Sequence, residues 1–204
     1  MLSIGPRNSD IENLLPKDGV LTYRPGVFPP DEAHLLLEKL ISTIEWSQPS
    51  IKLYGKSFPM PRLSAWYGDE GTTYKYSGIL NIPLPWTREL LLIKKKTEEA
   101  TGTTYNSVLL NYYRSGADHM SWHADDEKSL RLGPVIASIS LGETRKFSVK
   151  HKHEKLPTIS LSLDSGSLVV MKGKMQDSWL HRINPSKRVT DPRINLTFRN
   201  VTSA

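Results

Sequence analysis

The chain has 204 residues, no cysteine and a formal net charge of +6. Its apolar fraction of 38% and charged fraction of 24% are typical of a globular protein. Its length suits a single domain, at residues 21–204, preceded by an arm at residues 1–20. The lack of cysteine excludes disulfides, thiolate nucleophiles and cysteine-ligated zinc or iron–sulfur centres. Any metal must therefore be bound by nitrogen and oxygen atoms.

The N-terminal residues, MLSIGPRNSD, lack the order of a signal peptide, in which positive charge precedes an apolar stretch. No apolar run approaches the roughly 18 residues that are needed to cross a membrane. We therefore expect an intracellular, monomeric protein with no membrane partner, located in the cytoplasm of a bacterium or the nucleus of a eukaryote.

Positive charge is concentrated towards the C-terminus. Residues 140–204 contain 12 Lys and Arg against 5 Asp and Glu. A basic region of this kind favours a polyanionic partner such as nucleic acid. Charge alone leaves the question open, because many intracellular proteins are mildly basic without binding nucleic acid.

Two helices are predicted in the first half of the chain. The first begins at Pro30 and Asp31, which suit a first helical turn, and its apolar stripe extends from Leu36 to Ile44. The second occupies residues 85–102 and ends at Gly102, a residue type that commonly terminates helices.

From residue 106 onward the apolar residues recur with a period of two. The segments PVIASISLG (134–142), TISLSLDSGSLVVM (158–171) and RINLTFRN (193–200) show this alternation. Short strands separated by turn signals predict a β-sandwich or barrel, with the preceding helices packed on one outer face. The fold class is therefore α+β, mainly β. The segment KHKHEK (150–155) indicates a basic, solvated hairpin tip.

Residues i and i+2 of a strand lie on the same face. Three sets are paired in this way: Asn111 with Tyr113, His123 with Asp125, and Arg193 with Asn195 and Arg199. The opposite face of the last set is apolar, and this strand taken alone favours a surface strand with exposed arginines. In a barrel that encloses a pocket, the same arginines would face inward and would need an anion such as a small dicarboxylate.

The stretch SWHADDE gathers a histidine and three acidic residues, which predicts either a solvated acidic turn or a pair of metal ligands. One His-x-Asp pair and one distant histidine form the facial triad of non-haem iron(II) enzymes. His181 is the best third ligand for His123 and Asp125, because it follows a predicted strand and turn. The order His-x-Asp, 55 intervening residues, His, and then Arg193 after eleven more is more specific than His-x-Asp alone.

Four segments together resemble the AlkB-type iron(II)/2-oxoglutarate dioxygenases over roughly residues 20–201: NYYRSGADHMSWHADDE, PVIASISLG, DSWLHRI and PRINLTFRNV. In addition, PRLSAWYGDEGTTYKYSG (61–78) resembles the nucleotide-recognition lid of the nucleic-acid repair branch. The resemblance implies a double-stranded β-helix, or jelly-roll, core at about 105–201 and a lid at about 50–80. It also implies oxidative removal of methyl groups from base nitrogens in DNA and possibly RNA, chiefly 1-methyladenine and 3-methylcytosine.

The resemblance further implies Fe(II), 2-oxoglutarate and O2 as cofactor and co-substrates, with succinate, carbon dioxide and formaldehyde as products. The residues that would hold the iron are His123, Asp125 and His181. Those that would bind 2-oxoglutarate are Asn111, Tyr113 and Arg193 at its distal carboxylate, and Asn195 and Arg199 near its other end.

By the same resemblance, eight residues would contact the nucleic acid: Tyr54, Arg62, Tyr74, Tyr76, Trp122, Glu127, Lys187 and Arg188. Tyr74 and Tyr76 would stack on a flipped base, whose methylation adds a positive charge and a cation–π contribution. Ordinary strand tyrosines, and a solvated turn carboxylate at Glu127, are the alternatives. Strand preference stays open, because Tyr54 occupies the position of a duplex-wedging finger whereas PRLSAWYG and MQDSWLHR resemble the single-strand sub-branch.

Two other functions compete with this one. A catalytically silent barrel could bind nucleic acid or a dicarboxylate, although three retained ligands argue against it. A dioxygenase could also act on protein or lipid, although the tyrosine-rich lid and the basic C-terminal region argue against that.

Overall fold

The computed structural model describes residues 12–53, 56–72, 74–76, 79–126 and 134–202, with the backbone alone for 51–53, 74–76 and 79–81. The helices are α1 (Pro30–Thr43), α2 (Arg88–Thr101) and α3 (Met175–Ser178). The strands are β1 (Val20–Arg24), β2 (Ser50–Leu53), β3 (Lys56–Pro59), β4 (Leu63–Gly68), β5 (Tyr74–Tyr76), β6 (Ile79–Asn81), β7 (Leu84–Pro85), β8 (Ser107–Tyr113), β9 (Met120–His123), β10 (Ile136–Gly142), β11 (Arg145–His151), β12 (Ile159–Leu163), β13 (Ser167–Lys172), β14 (Trp179–Ile183) and β15 (Arg193–Arg199). None of the helices within these ranges is long and apolar enough to cross a membrane.

Two sheets form the body of the described chain. The large sheet has seven strands in the order β1-β13-β10-β15-β8-β4-β7, and the small sheet has four in the order β12-β11-β14-β9. Strand pairs in both are antiparallel except β4 with β7. Apolar side chains from both sheets pack together in one cluster. The α+β, mainly β, jelly-roll architecture expected from the sequence is confirmed.

The two longer helices cover the outer face of the large sheet. Leu37 and Leu40 of α1 and Leu90 and Ile93 of α2 belong to one core cluster with apolar residues of β8, β10 and β15. Helix α2 begins where the Thr87 side chain accepts a hydrogen bond from the Leu90 amide. It ends at Gly102, whose φ of 66° is left-handed. The prediction that the helices pack on one sheet is confirmed.

Strand β15 is buried on both faces. Ile194, Leu196 and Phe198 are each 0% exposed and pack in the cluster beneath the helices. On the opposite face Arg193 is 1% exposed. The exposed arginine face favoured by this strand alone is therefore wrong, because helices cover one side of the sheet and the small sheet faces the other.

The hairpin between β11 and β12 differs from the solvated tip expected from KHKHEK. His153 is exposed, but His151 is buried. The imidazole Nδ1 of His151 accepts a hydrogen bond of 2.9 Å from the Glu154 amide, and its ring lies edge-on to Trp179 at 4.9 Å. Lys17 of the N-terminal segment bonds to Glu154 at 2.6 Å, so this segment is attached to the hairpin.

Two hairpins occupy the region where a lid was expected. Strand β2 pairs with β3, and β5 pairs with β6, each as a separate two-stranded antiparallel sheet. The lid function and the boundaries at residues 20 and 21 remain predictions.

Candidate active site

Three possible metal ligands converge between the sheets. His123 ends β9, Asp125 follows it by two residues, and His181 lies directly opposite His123 in the adjoining strand β14. Nε2 of His123 is 3.8 Å from Oδ1 of Asp125, and Nε2 of His181 is 3.9 Å from Oδ2 of the same carboxylate. The register of a single strand pair thus brings together two histidines that are far apart in sequence.

The ligand atoms of this group lie within 4.8 Å of one another. Bonds from a metal to nitrogen or oxygen are roughly 2.0–2.2 Å long, so shifts of about 1 Å or less allow one ion to contact all three. Nδ1 of His123 lies 2.9 Å from the carbonyl of Ser121, which favours a proton on Nδ1 and leaves the Nε2 lone pair available. Burial lowers the pKa of His181 to about 3, so its imidazole is neutral, as a metal ligand must be.

Asp125 is held from two directions. Its backbone amide donates a 2.9 Å hydrogen bond to Oε1 of Gln176, which belongs to α3 and is 3% exposed. Its carboxylate accepts a 2.8 Å hydrogen bond from Nη2 of Arg199. Burial by itself raises the pKa of Asp125, but the positive charge of Arg199 and its hydrogen bond to the carboxylate act in the opposite direction, and the pKa is lowered. The carboxylate is therefore ionised and fixed in orientation.

A cavity of about 570 Å³ opens over this group. Its lining contains most of the residues predicted to bind iron or 2-oxoglutarate: Asn111, Tyr113, His123, Asp125, His181, Asn195 and Arg199. The pairs that share a face by the period of two, Asn111 with Tyr113 and His123 with Asp125, line the same cavity, while their roles in binding remain predictions.

Arg193 lies on the same face of β15 as Asn195 and Arg199, two residues deeper than Asn195. Its Nη2 donates to the Ser140 hydroxyl at 2.9 Å, while its Nε and Nη1 are buried without a hydrogen-bond partner among the described residues. Burial lowers the pKa of Arg193 to about 10, so the guanidinium is still charged at neutral pH. A buried cation with two free donors fits the carboxylate of a dicarboxylic acid.

Two other predicted 2-oxoglutarate ligands, Asn111 and Asn195, already form hydrogen bonds with side chains of the protein. Oδ1 of Asn111 accepts a 2.9 Å hydrogen bond from Nε of Arg62, which fixes the orientation of the amide, and its Nδ2 is the group that can donate to a co-substrate. The Asn195 side chain donates to Ser138 at 2.6 Å and accepts from Thr197 at 3.0 Å. Asn195 is thus held by two hydroxyl groups, and its predicted contact with 2-oxoglutarate must compete with them.

The predicted nucleic-acid contacts are placed unevenly. Arg62 lines the cavity, and Lys187 and Arg188 are exposed on the loop after β14 but do not line it. Trp122 also does not line the cavity. Tyr54 and Glu127 lie outside the described residues, as do the side chains of Tyr74 and Tyr76.

Trp122 faces away from the candidate site. Its neighbour His123 points into the cavity, so the indole lies on the opposite face of β9. There the ring is flanked by Nζ of Lys150 at 4.6 Å and the guanidinium carbon of Arg182 at 4.4 Å from its centroid. Trp122 is thus outside the cavity lining, although Arg182 beside it belongs to that lining, and its contact with nucleic acid remains a prediction.

Sequence reasoning missed four residues around the site. Met60 and Trp66 line the cavity from the segment next to Arg62, Gln176 bonds to the backbone of Asp125, and Arg145 bonds to loops beside the cavity. The alternation Arg145-x-Phe147-x-Val149 could have indicated that an arginine shares an inward face with apolar residues. Gln176 lies in a short turn-like helix and had no comparable signal.

Comparisons with known proteins agree with this geometry. The family model described as 2OG-Fe(II) oxygenase superfamily matches residues 20–199. The human alpha-ketoglutarate-dependent dioxygenase alkB homolog 3 is 39% identical over 87% of this chain and 64% of its own length. The mouse DNA oxidative demethylase ALKBH2 is 37% identical over 83% of this chain and 75% of its own.

Among solved structures, that of OsALKBH1 superimposes with a TM-score of 0.65 at 15% identity, covering 88% of this chain and 96% of that one. At this identity the likeness supports the fold alone. The chain spans about 64% of the length of the mouse and human alkB homolog 3 proteins. The family model and the sequence identities together show that the chain belongs to the 2OG-Fe(II) oxygenase superfamily and, within it, to the AlkB family.

Proposed function

We propose that this protein is an Fe(II)- and 2-oxoglutarate-dependent dioxygenase that removes methyl groups from base nitrogens of DNA. The family implies Fe(II), 2-oxoglutarate and O2. The observation that carries the proposal is the His123, Asp125 and His181 group, which opens into a cavity that Tyr113 also lines. Behind Tyr113 lies buried Arg193, whose Nε and Nη1 have no hydrogen-bond partner among the described residues. The relatives named as DNA oxidative demethylases support nucleic acid as the substrate.

In this proposal His123, Asp125 and His181 hold the iron. When bound there, the iron supplies the oxidising chemistry that couples decarboxylation of 2-oxoglutarate to hydroxylation of the methyl group, which then leaves as formaldehyde. Arg199 keeps the Asp125 carboxylate ionised and directed between the two imidazoles, through the 2.8 Å hydrogen bond. Because C–H oxidation needs no general base, none is assigned.

The chain's own residues would orient 2-oxoglutarate. Arg193 offers its Nε and Nη1 to the distal carboxylate, and Tyr113 and the Nδ2 of Asn111 complete that end of the slot. The guanidinium of Arg193 stays charged because its pKa of about 10 is well above neutral pH. A dicarboxylate with one end at Arg193 would extend along the face of β15 that carries Asn195 and Arg199, towards the residues that would hold the iron.

The methylated base would enter the same cavity after leaving its stack. Met60, Arg62 and Trp66 line the cavity from β4 and the segment just before it, and the aromatic and thioether groups offer a surface for a flat ring. A base methylated as 1-methyladenine or 3-methylcytosine carries positive charge, which favours contact with an aromatic face. Exposed Lys187 and Arg188 would contact phosphates.

The deciding experiment is formaldehyde release from oligonucleotides that carry 1-methyladenine or 3-methylcytosine, as single-stranded DNA, duplex DNA and RNA in parallel. We expect release from DNA that depends on Fe(II) and 2-oxoglutarate, and no release with Asp125→Ala. Normal release by Asp125→Ala would overturn the ligand assignment.

The two competing functions give different outcomes in the same assay. A silent barrel would bind oligonucleotide without forming succinate. A dioxygenase of another substrate class would form succinate slowly and without stimulation by methylated oligonucleotide, and its oligonucleotide binding would lack the steep salt dependence of phosphate contacts.

A further inference from the structure

Arg145 is a buried arginine that the proposed chemistry does not use. It is the first residue of β11 and is 2% exposed. The described residues place no carboxylate within ion-pair distance of its guanidinium. Burial lowers its pKa from the ordinary 12.5. A buried arginine without an acidic partner needs other acceptors to offset its lost hydration.

Those acceptors are backbone carbonyl groups from two separate loops. Nη1 donates to the carbonyl of Ser115 at 3.1 Å, and Nη2 donates to the carbonyls of Asp118 and Asn184, each at 2.8 Å. Ser115 and Asp118 belong to the turn that follows β8, and Asn184 begins the loop that follows β14. Only the planar fork of arginine presents several donors in directions that reach both loops at once.

The two loops also contact each other directly. The Gly116 amide donates to the carbonyl of Val189 at 2.9 Å, and the Ser186 amide donates to the carbonyl of Gly116 at 2.8 Å. A β-carbon at Gly116 would overlap the Ser186 carbonyl oxygen, so the approach leaves no room for a side chain. The loop that carries Lys187 and Arg188 therefore packs directly against the turn to which Arg145 donates hydrogen bonds.

Arg145 also contacts the 2-oxoglutarate end of the cavity. Two guanidinium groups lie close to the ring of Tyr113, that of Arg145 at 5.5 Å and that of Arg193 at 5.2 Å from its centroid. Tyr113 is 2% exposed, so these two arginines determine much of its environment. One side chain thus contacts the co-substrate slot and the basic loop.

We propose that Arg145 is a positioning residue that fixes the loop bearing Lys187 and Arg188 relative to the Tyr113–Arg193 end of the cavity. Its bonds to carbonyls of both loops determine where the loop's two cations meet a nucleic-acid backbone. The roles of 2-oxoglutarate and nucleic acid in this inference rest on the proposed function, but the anchoring of the loop does not.

Trypsin tests the anchor without any ligand, because Lys187 and Arg188 are exposed cleavage sites. Arg145→Lys retains the charge and the number of tryptic sites, but it loses the planar guanidinium that bonds to both loops at once. We expect native-state cleavage after Lys187 and Arg188 to become about 10-fold faster, as hydrogen bonds to a charged group contribute this much. Arg24→Lys is the matched control, since Arg24 is a partly buried arginine that bonds to the Ala100 carbonyl on the large sheet's edge strand β1.

Unchanged cleavage at this loop in Arg145→Lys would overturn the proposal. So would equal acceleration at every tryptic site, because that pattern reports general unfolding. The thermal midpoint of each variant, measured beside the cleavage rates, separates the two outcomes.

Kinetics then test the functional consequence. In Arg145→Lys we expect the KM for methylated oligonucleotide to rise about 10-fold, with a shallower dependence on salt because phosphate contacts are lost. We expect kcat to change less than about threefold, since the three metal ligands are not touched. A loss confined to kcat, with KM and salt dependence unchanged, would contradict the positioning role.

Direct 2-oxoglutarate binding is then measured in the presence of Mn²⁺ and without nucleic acid. We expect weaker binding in Arg145→Lys because, although the positive charge is retained, Tyr113 loses the planar guanidinium that lies 5.5 Å from its ring centroid. Unchanged binding would refute the link to the co-substrate slot. If the wild-type protein released no formaldehyde from any oligonucleotide, the proposed function would fail. The tryptic cleavage rates and 2-oxoglutarate binding would still test the positioning role of Arg145.

Discussion

Arg199 and Asp125 are joined by a 2.8 Å hydrogen bond, although 74 residues separate them in sequence. Arg199 ends β15 of the large sheet, and Asp125 follows β9 of the small sheet. The bond therefore crosses from one sheet to the other at the candidate metal site. It makes burial of the Asp125 carboxylate possible, because an unpaired buried carboxylate would otherwise take up a proton.

Removing this arginine should weaken metal binding. For Arg199→Met we expect the Mn²⁺ dissociation constant to rise about 10- to 100-fold, the usual effect of losing a group that orients a metal ligand. The measurement is Mn²⁺ binding followed by electron paramagnetic resonance or calorimetry. Arg199→Lys keeps a positive charge, so its Mn²⁺ dissociation constant should lie between those of the wild type and Arg199→Met. Wild-type Mn²⁺ affinity in Arg199→Met would show that Asp125 is positioned by other groups.

Gln176 should act on the same carboxylate through the backbone. In Gln176→Leu the buried Asp125 amide loses its acceptor at 2.9 Å, and we expect Mn²⁺ affinity to fall about 10-fold. Gln176→Glu is the control, since a carboxylate oxygen can still accept that hydrogen bond. If both variants bound Mn²⁺ equally well, the amide contact would not matter for the metal.

Arg193 should determine the requirement for 2-oxoglutarate. In Arg193→Met we expect the concentration for half-maximal activity to rise about 100-fold, because a charge-assisted pair of hydrogen bonds to a carboxylate is lost. Ser140→Ala, which removes only the hydroxyl partner of Arg193 at 2.9 Å, should have a much smaller effect. The prediction is checked by succinate formation at varied 2-oxoglutarate, and an unchanged requirement would place the distal carboxylate elsewhere.

Asp118 should contribute stability that is lost in acid. Burial alone raises its pKa, but hydrogen bonds from the Arg114 side chain and amide outweigh burial and hold the pKa below the ordinary 3.8. A carboxyl group with a lowered folded-state pKa stabilises the fold above pH 3.8, and this contribution disappears as the pH falls through the folded-state pKa.

Asp118→Asn should therefore reduce the free energy of unfolding by about 1 kcal/mol at neutral pH, a modest value because Arg114 is partly exposed. The difference from wild type should shrink as the pH falls below 3.8 and through the lowered folded-state pKa, because the carboxyl group then takes up a proton. Urea denaturation at several pH values checks this, with the exposed Asp191→Asn as control. If the difference in free energy of unfolding between wild type and Asp118→Asn grew in acid, Asp118 would not have the lowered folded-state pKa.

The sequence predicted much of the fold because its signals are local. Pro30 and Gly102 lie at the predicted beginning and end of the two helices, and both helices are found there. The period of two placed Asn111 with Tyr113 on one face of β8, and both line the cavity. The expected role of Trp122 came only from the resemblance to the family, and its indole lies beside Lys150 and Arg182 and outside the cavity lining.

By itself, then, the sequence determined the helices, the alternation of the strands and the choice of His123, Asp125 and His181 as candidate ligands, because each depends on residues close together in the chain or on a motif of residue types. Only the tertiary structure decided that β15 is covered on both sides, that Arg145 bonds to two loops and that Gln176 holds Asp125. Those relationships join residues 27 to 51 positions apart or set two sheets face to face, and no local periodicity encodes such distances.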